Sequence, residues 1–202
     1  MKKDVMLFCP NANEVEINSE EALRYMGVRG KNRDEILCGE LEEVKVRVLK
    51  AVCYRACYTK PDVKSVADDK IIIGPFCVSS RSLARNLYGC SEAYLFAATV
   101  GSDVDRLIAR LSVSSAARGL MADALCSAAI EGFCDLLNAR LAEGLSTRAR
   151  FSPGYGDMSL EYQKDFISVL DAGKNIGLAL TQSLMLTPTK SVTALIGIQN
   201  EK

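Results

Sequence analysis

From about Arg33 to Val52 the chain sets Ile36, Leu37, Leu41, Val44, Val48 and Leu49 between charged residues, an apolar stripe with helical period. The pattern predicts a long amphipathic helix. A shorter helix precedes it in "INSEEALRYMG", where Asn18 or Ser19 can cap the start, Glu21 stands at capping-box distance from Asn18, and Gly27 offers a left-handed stop.

Further on, "TKPDVKSVADD" reads as a loop or turn, "KIIIG" as a short β-branched strand, and "SSRSLARNLYGC" as a capped helix closed by Gly89. "EAYLFAATVG" reads as a buried strand running into a glycine turn. "SDVDRLIARL" then opens a helix with Ser102 at the cap and acids in its first turn. This strand, glycine and helix order is similar to a phosphate-binding corner, but it lacks the glycine spacing of the known phosphate loops.

Ser114 to Leu141 is the most apolar helix, rich in Ala, Ser and Cys at its centre, and is expected to be central and heavily buried. Asp123 and Glu131 lie in it just over two turns apart. They are either a buried carboxylate pair suited to acid and base work or part of a solvated stripe with Arg118 and Asp135. "LEYQKDFISVLD" reads as an amphipathic helix capped by Ser159. In the tail, two apolar segments flanking "TPTKS" read as an antiparallel strand pair, although "NIGLALTQS" alone also suits a helix.

Helices and strands mix here without a regular βαβ alternation, which points to an α+β fold: one domain over 1–202, with an antiparallel sheet packed by several helices. Composition agrees with a folded globular chain of 202 residues, 49% hydrophobic and 25% charged. Lys plus Arg equals Asp plus Glu at 25 each, and no long basic run is present, which argues against a nucleic-acid partner. No apolar run reaches the length of a membrane span and the start is too polar for a signal peptide, so a cytoplasmic protein is expected.

Eight cysteines raise a redox, metal or Fe–S reading, but no CxxC pair occurs, and the nearest pair, Cys53 and Cys57, has helical spacing within "VCYRACY". Most of them sit among apolar neighbours, as small core hydrophobes do. The chain has no His, which removes the commonest general base and the usual hydrolase triads. Any chemistry therefore falls to a cofactor.

The segment "RFSPGYGD", Arg150 to Asp157, combines a planar guanidinium fork suited to carboxylate or phosphate, an aromatic hydroxyl, and two glycines that expose backbone. Pro153 turns Ser152 away from helical geometry, so the segment is expected to be an exposed loop between two helices. These residue types suit a small zwitterion with an aromatic or cationic part; a plain helix-to-helix connection is the other reading.

The stretch 150–198 resembles the S-adenosylmethionine-binding activation domain of cobalamin-dependent methionine synthase. Arg150, Gly154 and Tyr155 carry the first part of the signature. Ile176, Gly177, Leu180, Thr181, Ser183, Pro188, Ser191 and Val192 carry the rest in order, and the Ala-rich helix extends the likeness back to about 122.

The resemblance implies that Arg150 pairs with the methionyl carboxylate of S-adenosylmethionine, that Tyr155 lies beside the ligand, and that backbone around Ser152 and Gly154 fixes the remaining polar atoms. It also implies an acid, from well before this loop, for the ligand's amino group; the motif does not place it. Without homocysteine, folate or cobalamin domains, the resemblance implies a freestanding subunit that supports reductive methylation of cobalamin on a separate protein, a component of methionine synthase activity in methionine biosynthesis and not a complete methyltransferase.

The implied partners are a cobalamin-binding methionine synthase and a flavodoxin-like electron donor. No catalytic or metal-ligating residue of this chain is required. Two alternatives stay open: an activator of another corrinoid methyltransferase, and an interaction scaffold that keeps the fold without the ligand.

Overall fold

The computed structural model describes residues 4–28, 34–66 and 69–200. A short strand β1 (Met6–Phe8) leads to helix α1 (Ser19–Tyr25). Asn18 caps α1 by accepting from the N–H groups of Glu20 and Glu21. The Glu21 carboxylate accepts from Tyr25 Oη at 3.1 Å, and the cap rests on Asn18.

Helix α2 (Glu35–Ala51) starts from Asp34, whose carboxylate accepts from the Ile36 N–H; Arg33, its expected start, lies outside the described residues. Leu41, Val44 and Val48 are buried as the stripe predicts, but Ile36 is 74% exposed. The buried stripe is narrower than expected: Ile36, in the first turn, and Leu49, in the last, stay outside it.

Strand β2 (Arg55–Thr59) corrects the helical spacing read in "VCYRACY": Cys57 is buried in the strand and Cys53 lies exposed before it. Strand β3 (Val63–Ser65) lies where a loop was expected and pairs with β4 (Lys70–Ile73), which pairs with β5 (Phe76–Ser79). Ala67 and Asp68 of the expected loop are outside the described residues. Helix α3 (Arg81–Asn86) is capped by Ser80, and β6 (Cys90–Thr99) follows.

At the start of α4 (Ser102–Ser114) the cap position is held by Gly101, not Ser102. Gly101 has φ +88°, and a Cβ there would approach Cys53 Cβ at 3.2 Å. Ser114 ends α4, and Ser115 caps the long helix α5 (Ala116–Leu141). A Cβ at Gly132 would fall 2.3 Å from the Glu16 carbonyl, so the small residues of α5 do admit close backbone approach. Helices α6 (Gln163–Leu170) and α7 (Ala172–Ile176) follow; Ser159 caps the short 3-10 turn that leads into α6.

The tail departs from the expected strand pair. β7 (Ala179–Leu180) and β8 (Leu186–Thr187) form a small hairpin from the first apolar segment and the first residue of "TPTKS". The second segment, β9 (Ser191–Gln199), pairs with β6 instead, Leu95 opposite Leu195. The main sheet is antiparallel in the order β1-β2-β6-β9.

One face of this sheet, with Ala56, Phe96, Ala98, Ala194 and Ile196, packs against α1, α2, α4 and α5. The other, with Cys57, Leu95, Ala97 and Leu195, packs against α3, α6, α7 and the small sheet. β6 and β9 are thus covered on both faces, which is why they read as unbroken apolar runs. The chain is one α+β domain.

Candidate functional site

Beyond α5 the chain runs along the free edge of β9. Phe151 donates to Leu195 O at 2.9 Å and accepts from Leu195 N–H at 2.8 Å, and Arg148 N–H donates to Gly197 O at 2.8 Å. The start of "RFSPGYGD" is therefore sheet-edge backbone, not the free loop expected. Adjacent extended residues point to opposite sides, so Phe151 enters the core under β9 while Arg150 faces α5.

There Arg150 Nη2 lies 3.0 Å from Glu131 Oε2 and 3.0 Å from Asp135 Oδ1. Arg150 Nη1 is buried and has no partner among the described residues. Glu131 does not pair functionally with Asp123, whose carboxylate sits 2.8 Å from Lys190 Nζ. The expected stripe is divided as well, since Arg118 reaches Glu43 on α2.

At Ser152 and Pro153 the chain turns away from β9, and the gap it leaves is a pocket of about 200 Å³. Arg150, Ser152 and Tyr155 line it, as do Glu131 of α5, Gln163 of α6 and Thr193 of β9. Peptide groups alternate along a strand, so those of Thr193 point to the same edge as those of Leu195. Among the described residues no strand covers that edge at Thr193. Gln163 Oε1 and Thr193 Oγ1 are buried and, like Arg150 Nη1, unpartnered among the described residues. Three residues of one small pocket thus each carry an orphaned buried polar atom, which is unusual, because buried polar groups nearly always find partners.

The glycines of the segment serve its turn. Gly154, at φ +93°, lies outside the pocket wall, with its N–H donated to Met158 O at 2.8 Å. A Cβ on Gly156 would fall 2.5 Å from Ser82 Oγ, so its bareness admits α3. Asp157 then ties the turn down: its carboxylate accepts from Ser80 Oγ, from Ser82 N–H at 3.0 Å and from Arg81 N–H at 2.9 Å. These bonds, that of Ser80 foremost, hold its carboxyl well below the usual carboxylate range. Tyr155 stands half out at the rim, its ring edge-on to Phe151 with centroids 5.9 Å apart.

The cysteines are dispersed. Cys57, Cys126 and Cys134 are buried, and burial pushes their thiols up to about 12. Among the described residues no group of three Cys, Asp or Glu is placed to hold a metal ion, and no helix is long and apolar enough to cross a membrane.

An antiparallel sheet clad on both faces, with an arginine-anchored pocket at its free edge, defines an α+β domain suited to a small polar ligand. The solved structure of the MetH reactivation domain bound to AdoHcy shares this fold. It is similar over 100% of this chain and 80% of that chain, with a TM-score of 0.72 and 16% identity. No family model and no curated protein matches the chain.

Of the residues that the sequence marks, Arg150, Ser152 and Tyr155 line the pocket and Gly154 does not. Glu131, which the sequence pairs with Asp123 or sets in a stripe with Arg118 and Asp135, instead meets Arg150 and lines the pocket. Gln163 and Thr193 carry no sequence signal, because nothing local distinguishes them from other polar residues on amphipathic elements.

Proposed function

We propose that the chain binds S-adenosylmethionine at the Arg150 pocket and supports reductive methylation of cobalamin held by a separate methionine synthase. The observation that carries this reading is the buried, unpartnered Nη1 of Arg150 in a pocket also lined by Ser152 and Tyr155, within a fold shared with a domain solved with AdoHcy. A guanidinium nitrogen without an acceptor calls for one from a ligand, and a carboxylate supplies it best. Glu131, on the same wall, is the acid proposed for the ligand's ammonium.

The pocket is smaller than the roughly 300–1,000 Å³ usual for small-molecule sites. It would enclose the amino-acid end, leaving the adenosyl part near Tyr155 and Leu186. S-adenosylmethionine would supply the methyl group by breaking its sulfur–methyl bond and would leave as S-adenosylhomocysteine, and an electron donor such as a flavodoxin-like protein would supply the electron that reduces the partner's cobalamin. This chain's part is to bind and orient, turning a bimolecular encounter into a positioned one.

Isothermal titration with S-adenosylmethionine tests the reading. Wild type is expected to bind saturably and Arg150→Ala to bind roughly 10- to 150-fold more weakly, the value of a charge-assisted hydrogen bond. Equal affinities would overturn it.

A further inference from the structure

Beyond Arg150 and Glu131, the pocket holds two polar groups that the functional reading leaves unused. Gln163 is the first residue of α6 and Thr193 lies on β9; they are 8% and 2% exposed. Both line the pocket, and Gln163 Oε1 and Thr193 Oγ1 have no partner among the described residues. Their placement comes from different elements on the same side of the main sheet, where the turn after Phe151 exposes the β9 edge.

An amide oxygen only accepts hydrogen bonds, and a hydroxyl can accept one. A ligand that satisfies Gln163 must therefore bring an N–H or O–H donor. Arg150 on the opposite wall needs an acceptor from that ligand, and a pocket of about 200 Å³ leaves room for one head group between them. A carboxylate and a primary ammonium on one carbon meet both demands.

We infer that Gln163 and Thr193 are the specificity residues for the α-ammonium of the ligand. Glu131, Gln163 Oε1 and Thr193 Oγ1 offer three acceptors to its three N–H groups, and the carboxylate goes to Arg150. This inference rests on the proposed S-adenosyl ligand. It adds that the site selects an intact α-amino acid head over one that lacks the amino group, since a buried acceptor facing no donor costs binding that a merely weaker contact would not.

The test is calorimetric titration with S-adenosylhomocysteine, a stable thioether, and with its desamino analogue, in which hydrogen replaces the α-amino group. Wild type is expected to bind the first at least tenfold more tightly. Gln163→Leu and Thr193→Val should each lose roughly tenfold for S-adenosylhomocysteine and little for the analogue. Gln163→Glu, which keeps an acceptor and adds charge, should retain binding, and thermal unfolding of each variant shows that it is folded.

Wild type that binds both ligands equally overturns the inference while leaving the proposed function standing. So do variants that lose equally for both, which would mark a packing role. Wild type that binds neither thioether overturns the inference, and if S-adenosylmethionine also fails to bind, the proposed function falls with it.

Discussion

Arg150 Nη2 lies 3.0 Å from Oε2 of Glu131, nineteen residues earlier in the chain. The bond joins the edge backbone of the sheet to the central helix, and the other guanidinium nitrogen, Nη1, is buried without a partner among the described residues. Asp135 takes the same Nη2 from solvent, 74% exposed. Of the two carboxylates, Glu131 lines the pocket and Asp135 does not.

Asp135 therefore places a second negative charge beside the guanidinium whose free Nη1 is proposed for the ligand carboxylate, and the two carboxylates repel each other. Asp135→Asn is expected to tighten S-adenosylmethionine binding, by at most about fivefold because an exposed ion pair contributes roughly 0–1 kcal/mol. Titration of the variant beside wild type checks it; weaker binding would show that Asp135 positions the arginine instead.

The anchoring of the loop by Asp157 predicts a pH signature. Its carboxyl is depressed in the folded state, so the stabilisation is fully present above the unfolded value of about 3.9 and fades as the pH falls below it toward the folded value. Asp157→Asn should lower Tm at pH 7, and its deficit should shrink as the pH drops below about 4. A deficit constant across acid pH would contradict the assignment.

Gly156 is held at φ +56° with Ser82 where a Cβ would go. Gly156→Ala is expected to cost about 1–3 kcal/mol in urea unfolding, through left-handed strain and overpacking together. Gly144, at φ +71° with nothing within 4 Å of a Cβ, isolates the first contribution, so Gly144→Ala should cost less.

Thiol accessibility gives a fourth check on the packing. Cys9, Cys53 and Cys77 are exposed and should react promptly with a disulfide reagent at pH 8. Cys57, Cys126 and Cys134, buried with thiols pushed up to about 12, should react only on unfolding. Prompt labelling of any of these three would mean that the core opens locally.

Much of the local structure was written in residue spacing. The stripe of Leu41, Val44 and Val48, the Asn18 cap and the doubly buried β6 follow from period, capping chemistry and length alone, and residue type alone marks Arg150 and Tyr155 as candidates for ligand chemistry. Pairing was not. Whether the last segment joins β7 or β6 depends on which partner buries both of its faces, a long-range choice that the residues from Leu178 to Ile198 do not encode among themselves. The pocket is of the same kind: Glu131, Gln163 and Thr193 meet Arg150 only because α5, α6 and β9 converge where the edge chain turns away. Sequence determined the side chains and their local periods; the tertiary structure alone decided which of them share a wall, because burial energy acts on surfaces brought together by the whole fold.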